Sequence, residues 1–215
     1  MVKLGRFFLL GAACLGLLSF SNQGFAANKA AEKCFGSIDK IPYAMKGDIY
    51  ALKSGDRRLP ADFSKMKPEG SVYSTELWVP ACDFTQGFPG VTTRNEWFAI
   101  DYNGTFTTKK DARFKFKLGS DDGSKLFIDG KVVIDNDGWH GMAYKEGSVN
   151  LKKGEHKIRV QFFQGPKTGL GLTLEWAEGN AQYSKFTTVT TDASSAGGLT
   201  GGAGGNMPSI PGMPH

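Results

Sequence analysis

Two adjacent carboxylates, Asp121 and Asp122, lie in a glycine-flanked segment at residues 118–130, and Asp135 and Asp137 follow shortly after it. Neighbouring carboxylates repel each other and add nothing to an apolar core. The two adjacent residues, called the Asp pair below, therefore need a positive charge or a hydrogen-bond donor opposite them. A hard cation with oxygen ligands, such as calcium, is the first candidate, and a sugar hydroxyl is the second. The alternative is a solvated turn, because Asp and Gly are ordinary turn residues.

Aromatic and imidazole side chains follow the acidic segment. Trp139 and His140 lie in a Gly-rich stretch, 137–141, which we expect to form a loop at the mouth of such a site. The face of Trp139 could stack on the apolar face of a sugar ring; the alternative is that it covers the end of the fold. His156 falls on the inward side of an alternating segment, which favours a hydrogen-bonded core histidine over a catalytic one.

The segments around these residues alternate between apolar and polar positions, as half-buried strands do. Asp129-Gly130 separates two such segments and predicts a two-residue hairpin turn, because a tight turn needs positive φ. Short strands joined by Gly-rich turns predict an all-β fold, an antiparallel β-sandwich of jelly-roll-like type. The alternating apolar positions are Phe114, Phe116, Leu118, Leu126, Ile128, Ile158, Val160, Phe162, Leu170, Leu172, Leu174 and Trp176.

The chain resembles the domain first described in anthrax protective antigen, a β-sandwich also found in yeast adhesins and in sugar-processing enzymes. The resemblance covers roughly residues 70–177, and the 114–130 segment with its Ser-Asp-Asp-Gly-Ser core is its most specific part. The other matching segments are 87–91, 96–102, 154–163 and 169–176.

The resemblance implies a calcium-dependent sugar site of the adhesin type. In those adhesins the adjacent Asp residues are joined by a cis peptide and coordinate calcium, which in turn coordinates sugar hydroxyls. Asp121 and Asp122 are the matching metal ligands here. The counterpart of the second calcium loop is 164–169, which contains no Asn or Asp. Gln164, backbone carbonyls, or Asp135 and Asp137 would complete the shell.

The N-terminus has the pattern of a cleaved secretory signal peptide over residues 1–26: a basic start, a short apolar run and small residues at its exit. Its removal takes away Lys3 and Arg6 and no carboxylate, so the formal charge falls from +5 to +3. Export to the periplasm or the cell exterior follows, without a membrane span. The less favoured alternative is a lipoprotein anchored through Cys14.

Cys34 and Cys82 remain after cleavage, an even pair in an exported chain, and predict a disulfide; two free thiols are the alternative. Residues 27–71 are expected to pack as an N-terminal extension on a β-sandwich domain over 72–191, with its first strand at 72–79. Residues 192–215 are rich in Gly and Pro and predict a flexible tail.

The sequence favours a carbohydrate-binding, lectin-like module that depends on calcium through Asp121 and Asp122. The predicted ligand-binding residues are the Asp pair with Asp137, Trp139 and Gln164. The alternative is a non-catalytic structural or protein-interaction module of the bacterial cell envelope, so the partner is a glycan or an envelope protein. We expect no enzymatic activity, because nucleophile-elbow, phosphate-loop and zinc-protease motifs are lacking in the sequence. We also expect no nucleic-acid partner, and the sequence leaves the oligomeric state open.

Overall fold

The computed structural model describes residues 34–79, 84–166 and 169–189. Apart from a single 3-10 turn at Phe63–Lys65 and a few isolated bridges, the regular structure in these ranges is β-strand. The strands in chain order are β1 (Met45–Ala51), β2 (Gly70–Ser74), β3 (Trp78–Val79), β4 (Phe98–Thr108), β5 (Ala112–Asp121), β6 (Ser124–Ile128), β7 (Lys131–Asn136), β8 (Ala143–Leu151), β9 (Gly154–Gln164), β10 (Gly171–Glu178) and β11 (Ser184–Lys185).

The strands form two antiparallel sheets that pack face to face. One sheet has the order β2-β1-β4-β9-β6-β7, and the other has the order β11-β10-β5-β8, with β3 paired to β10. The turn that joins β5 to β6 carries the polypeptide from one sheet to the other, so Asp121 and Asp122 lie where the two sheets meet. The predicted all-β sandwich is confirmed.

The core lies between the sheets and is built from the alternating positions of the sequence. Phe116 and Leu118 of β5 and Val160 and Phe162 of β9 are completely buried. The intervening residues of β5, such as Lys117, face outward and form ion pairs such as the one with Glu175. Alternation of this kind places one apolar face of each sheet against the other.

The predicted hairpin turn between β6 and β7 is present. Asp129 and Gly130 have φ values of 49° and 79°, as a two-residue turn with two positive φ angles requires. The Asp129 carboxylate also accepts hydrogen bonds from the backbone N–H of Lys157 and from Nδ1 of His156, at 2.9 and 2.7 Å. His156 is therefore a hydrogen-bonded core histidine, as expected.

The N-terminal extension contributes strands to the larger sheet. β1 pairs with β4 along six residues, and β2 forms the edge beside β1. The single strand predicted over 72–79 is wrong, because the chain forms two short strands there. β2 belongs to the six-stranded sheet and β3 pairs with β10 of the other sheet, and between them Leu77 turns into the core with 2% exposure.

Several sequence predictions fall outside the described residues: the signal peptide at 1–26, Cys14, Cys82 and the tail at 192–215. Cys34 is buried, and the ring of its neighbour Phe35 lies 5.0 Å from that of Phe84. This contact places Phe35 against Phe84, and the disulfide itself stays a prediction because Cys82 lies outside the described residues. In the described ranges, no helix has the length and apolar character needed to cross a membrane.

Candidate functional site

The Asp pair lies at one end of the sandwich: Asp121 is the last residue of β5, and Asp122 follows it in the turn that leads to β6. The peptide bond joining Asp121 to Asp122 is cis. Asp122 is only 3% exposed, and its two carboxylate oxygens accept the N–H of His140 at 3.2 Å and the N–H of Gly165 at 2.8 Å. Asp121 is more open and accepts a backbone hydrogen bond from Met142. The pair is thus held by the β7–β8 loop on one side and the β9–β10 loop on the other.

Both carboxylates of the pair have raised pKa values. Burial is the main cause for Asp121, and the nearby His140 and the amide of Met142 oppose it. Burial is also the main cause of the raised pKa of Asp122, and the negative charge of Asp121 adds to it, against the amides of Gly165 and His140. Two partly desolvated carboxylates in contact cost free energy in their charged form, which a bound cation would offset.

The β9–β10 loop lies close to the Asp pair, and the two loop positions nearest to the carboxylates are glycines, which have no Cβ. A Cβ at Gly165 would lie 3.1 Å from Oδ2 of Asp122, and a Cβ at Gly169 would collide with the Asp121 carboxylate. Gln164 lies behind this loop, 1% exposed, and its Nε2 donates to the carbonyls of Pro166 and Gly169 at 3.1 and 2.6 Å. Its Oε1 is buried and has no hydrogen-bond partner in the part of the chain that the structure describes.

Asp135 and Asp137 do not join the pair. Both contact Lys125, with N–O distances of 3.3 and 3.4 Å, and Oδ1 of Asp137 accepts the N–H of Leu59 at 2.9 Å. Among the described residues, no group of three or more His, Cys, Asp or Glu side chains could hold a metal ion. Ligands beyond the pair must therefore come from backbone carbonyls, amide oxygens or water.

Trp139 lies at the rim of the site with 46% of its surface exposed. The ring of Trp97 is 6.4 Å away in an edge-to-face arrangement, and the guanidinium of Arg57 lies 4.7 Å from the Trp139 ring centre. Trp97 has φ 53°, and its N–H donates to the Gly165 carbonyl at 2.9 Å, so it is fixed to the β9–β10 loop. Sequence reasoning did not single out Trp97 or Arg57; the only signal for Trp97 was its place in the 96–102 segment.

The atoms that these residues offer are oxygens, which are the ligands that a hard cation prefers. Asp121 and Asp122 provide adjacent carboxylate oxygens, and the cradle formed by Gly165 and Gly169 exposes backbone rather than side chains to them. The buried Oε1 of Gln164, at the end of β9, is an acceptor without a hydrogen-bond partner among the described residues. The arrangement offers acceptors for a cation or for hydroxyl donors, with an aromatic rim beside them.

Comparison with known proteins agrees with this fold. A PA14 sugar-binding domain from an RTX adhesin superposes with a TM-score of 0.56 at 16% identity, over 68% of this chain and 96% of that one. The PA14 domain of the antifreeze protein MpAFP gives 0.53 at 16% identity, over 70% and 91%. An anti-sigma factor domain-containing protein gives 0.54 at 17% identity, where the match covers 68% of this chain but only 46% of that one. No curated protein sequence matches the chain.

At this level of identity the structural likeness establishes the fold alone. The family is established by sequence: the model of the PA14 domain matches residues 79–187, half of the chain. The chain belongs to the PA14 domain family.

Proposed function

We propose that this protein is an exported, non-catalytic carbohydrate-binding module whose site is built on Asp121 and Asp122. The observation that carries the proposal is the pair itself: two adjacent, partly buried carboxylates with raised pKa values and no cationic side chain bonded to them among the described residues. The sugar-binding activity named for the adhesin domain of the same family supports it. The signal-peptide pattern at residues 1–26 supports export.

In this proposal calcium is held by the carboxylates of Asp121 and Asp122, by backbone carbonyls of the β9–β10 loop and by Oε1 of Gln164. Calcium takes six to eight oxygen ligands, so a bound ion neutralises the pair and leaves positions that sugar hydroxyls can fill. Gln164 has a second part in this arrangement: its Nε2 fixes the carbonyls of Pro166 and Gly169.

The rim provides the apolar half of sugar recognition. The part of the Trp139 ring that Arg57 leaves exposed suits the C–H face of a pyranose ring, while the polar half of the sugar turns towards the Asp pair. Asp137 acts through positioning, because its bond to the Leu59 amide holds the start of the loop that carries Trp139 against the β1 side of the molecule.

The test is a calcium titration of the mature protein by calorimetry and thermal melting, beside the variant Asp121→Asn/Asp122→Asn. At a calcium concentration of 100 times Kd we expect about 2.7 kcal/mol of stabilisation, or roughly 5–10 °C in Tm. The variant should lose this response. In EDTA it should melt close to the wild type, because the removal of two repelling charges offsets the one backbone hydrogen bond that an Asn at position 122 cannot accept.

Glycan screening in calcium, repeated in EDTA, completes the test. Binding of a sugar that disappears in EDTA and in the double variant supports the proposal. No heat and no change in Tm up to millimolar calcium would contradict the calcium mechanism. Absence of any glycan binding would direct attention to the other candidate, a protein-interaction module of the cell envelope. The lack of Asn and Asp side chains in the 164–169 loop favours that candidate.

A further inference from the structure

One wall of the candidate site comes from outside the region matched by the PA14 family model. Residues 52–60, called the β1 loop here, follow β1 and are anchored to the site at two points. The N–H of Leu52 donates to the carbonyl of Trp97 at 2.8 Å, and the N–H of Leu59 donates to Oδ1 of Asp137 at 2.9 Å. Both partners adjoin the rim, so the β1 loop is fixed beside Trp139.

The β1 loop brings a cation over the exposed aromatic ring. The Arg57 guanidinium lies 4.7 Å from the centre of the Trp139 ring, a distance at which the attraction between a cation and an aromatic face is significant. The next residue after Trp139 donates its N–H to Asp122, at 3.2 Å. Arg57 is therefore stacked on the side chain that directly precedes the residue bonded to Asp122.

Arg57 and the next residue, Arg58, are not neutralised by any of the described residues. Both side chains are exposed, and among the described residues neither has a carboxylate or hydrogen-bonding partner. The nearest carboxylate in sequence, Asp56, is used within the loop, where its Oδ2 accepts the Lys53 N–H at 3.0 Å. By contrast, Arg94 and Arg159 are each paired with an acidic side chain.

We propose that the site selects an acidic sugar chain, and that Arg57 binds the carboxylate of a uronic-acid residue next to the sugar held at the Asp pair. A guanidinium that is stacked on a ring and has no acidic partner presents its N–H donors in a planar fork. That fork matches a carboxylate in two parallel hydrogen bonds. This inference rests on the proposed function, since it names the substrate class of the same site.

The experiment compares two ligands in calcium buffer: uronic-acid tetrasaccharides, containing glucuronate or galacturonate, and their carboxyl-reduced, neutral counterparts. We expect the mature wild-type protein to bind an acidic form about tenfold or more tightly than its neutral form, as a charge-assisted bidentate pair allows. Arg57→Gln should bring the two affinities together by weakening the acidic form alone. Arg57→Lys should keep part of the preference, because it keeps the charge but loses the fork.

The control variant is Arg113→Gln, which removes the same charge from an exposed side chain at the other end of β5, about 26 Å of strand from Asp121. It should leave the preference unchanged. Equal affinity for acidic and neutral forms in the wild type, or a preference that survives Arg57→Gln, would overturn the inference, while calcium-dependent binding of a neutral form would still uphold the proposed function. If no sugar binds at all, the proposed function fails, and the inference fails with it.

Discussion

At the scale of single residues, the buried charges in the described part of the chain are compensated except at the Asp pair. Asp101 is 6% exposed, and Arg159 binds its two carboxylate oxygens at 2.6 and 2.9 Å. Asp122 is buried to a similar degree and receives only two neutral amide hydrogen bonds, with a second carboxylate beside it. Since an uncompensated buried charge is costly, this contrast marks the pair as a place where binding of something positive stabilises the fold.

The compensated contact between His156 and Asp129 predicts a pH dependence of stability. Burial lowers the pKa of His156, but the hydrogen bonds to the Asp129 carboxylate and the Lys152 carbonyl outweigh it, so the pKa is raised. The pKa of Asp129 is lowered, since its bonds to His156 and to the Lys157 amide outweigh burial. The contribution of His156 to the free energy of unfolding is therefore fully present below about pH 6.5 and is lost as pH rises through the raised pKa. The aspartate contribution is present above about pH 3.9 and is lost as pH falls.

The measurement is urea unfolding of the wild type and of His156→Gln, in EDTA, between pH 5 and pH 9. We expect the wild-type free energy of unfolding to fall with rising pH by on the order of 1 kcal/mol more than that of the variant. Parallel pH profiles for the two proteins would show that the contact holds the hairpin turn without any contribution from the imidazolium charge.

At the scale of elements, strands with large apolar residues at every second position were predictable, whereas β8, which has them only at Val149 and Leu151, was not. β5 and β9 were apparent in the sequence because Phe, Leu, Ile and Val occupy every second position. No strand was predicted at β8, where Lys145 and Gly147 pair with the inward-facing Leu118 and Phe116 of β5. A Cβ at Gly147 would collide with the Val133 carbonyl, and Lys145 donates to the Asp135 carbonyl at 2.8 Å. Antiparallel pairing with β5 along nine residues, together with the close contact with β7, places this strand, so the local sequence pattern could not reveal it.

The loops of the site were predictable only in part. The sequence pointed to the Asp pair and Trp139, but Trp97 and Arg57 come from distant segments that meet the rim only through tertiary contacts. Asp137 was expected to bind ligand, yet its carboxylate bonds to Leu59, 78 residues away in sequence. Patterns report the neighbours of a residue along the chain, whereas a site at the end of a sandwich is assembled from several loops.

The close approach of the β9–β10 loop to the Asp pair gives a prediction for that element. Gly169→Ala adds a methyl group that collides with the Asp121 carboxylate, so we expect calcium affinity to fall by about tenfold or more. The melting temperature in EDTA should change little, because the position is near the surface. Gly141→Ala, in the loop on the opposite side, is the matched control, since nothing lies within 4 Å of the added group. Equal calcium affinities for the two variants, measured by calorimetry, would contradict the cradle assigned to Gly169.

At the scale of the whole molecule, the fold extends beyond the family match. The PA14 model begins at residue 79, but β1 and β2 complete one side of the six-stranded sheet. The hydroxyl of the fully buried Tyr102 donates to the carbonyl of Phe35 at 2.7 Å, and the Phe35 ring packs at 5.8 Å from that of Phe98. The N-terminal segment is therefore part of the core, which the composition of residues 27–71 did not reveal.

This organisation predicts that a chain trimmed to residues 75–191 will not fold cooperatively, whereas a chain of residues 27–191 will. The shorter chain lacks the buried Met45, Ile49 and Val72, and loss of large buried side chains of this kind costs about 2–5 kcal/mol each. It also turns β4 into an exposed edge strand, which favours aggregation. Calorimetry and size-exclusion chromatography of the two chains provide the test. A cooperative, monomeric melt of the shorter chain within a few degrees of the longer one would show that the family region folds alone and that β1 and β2 only cover it.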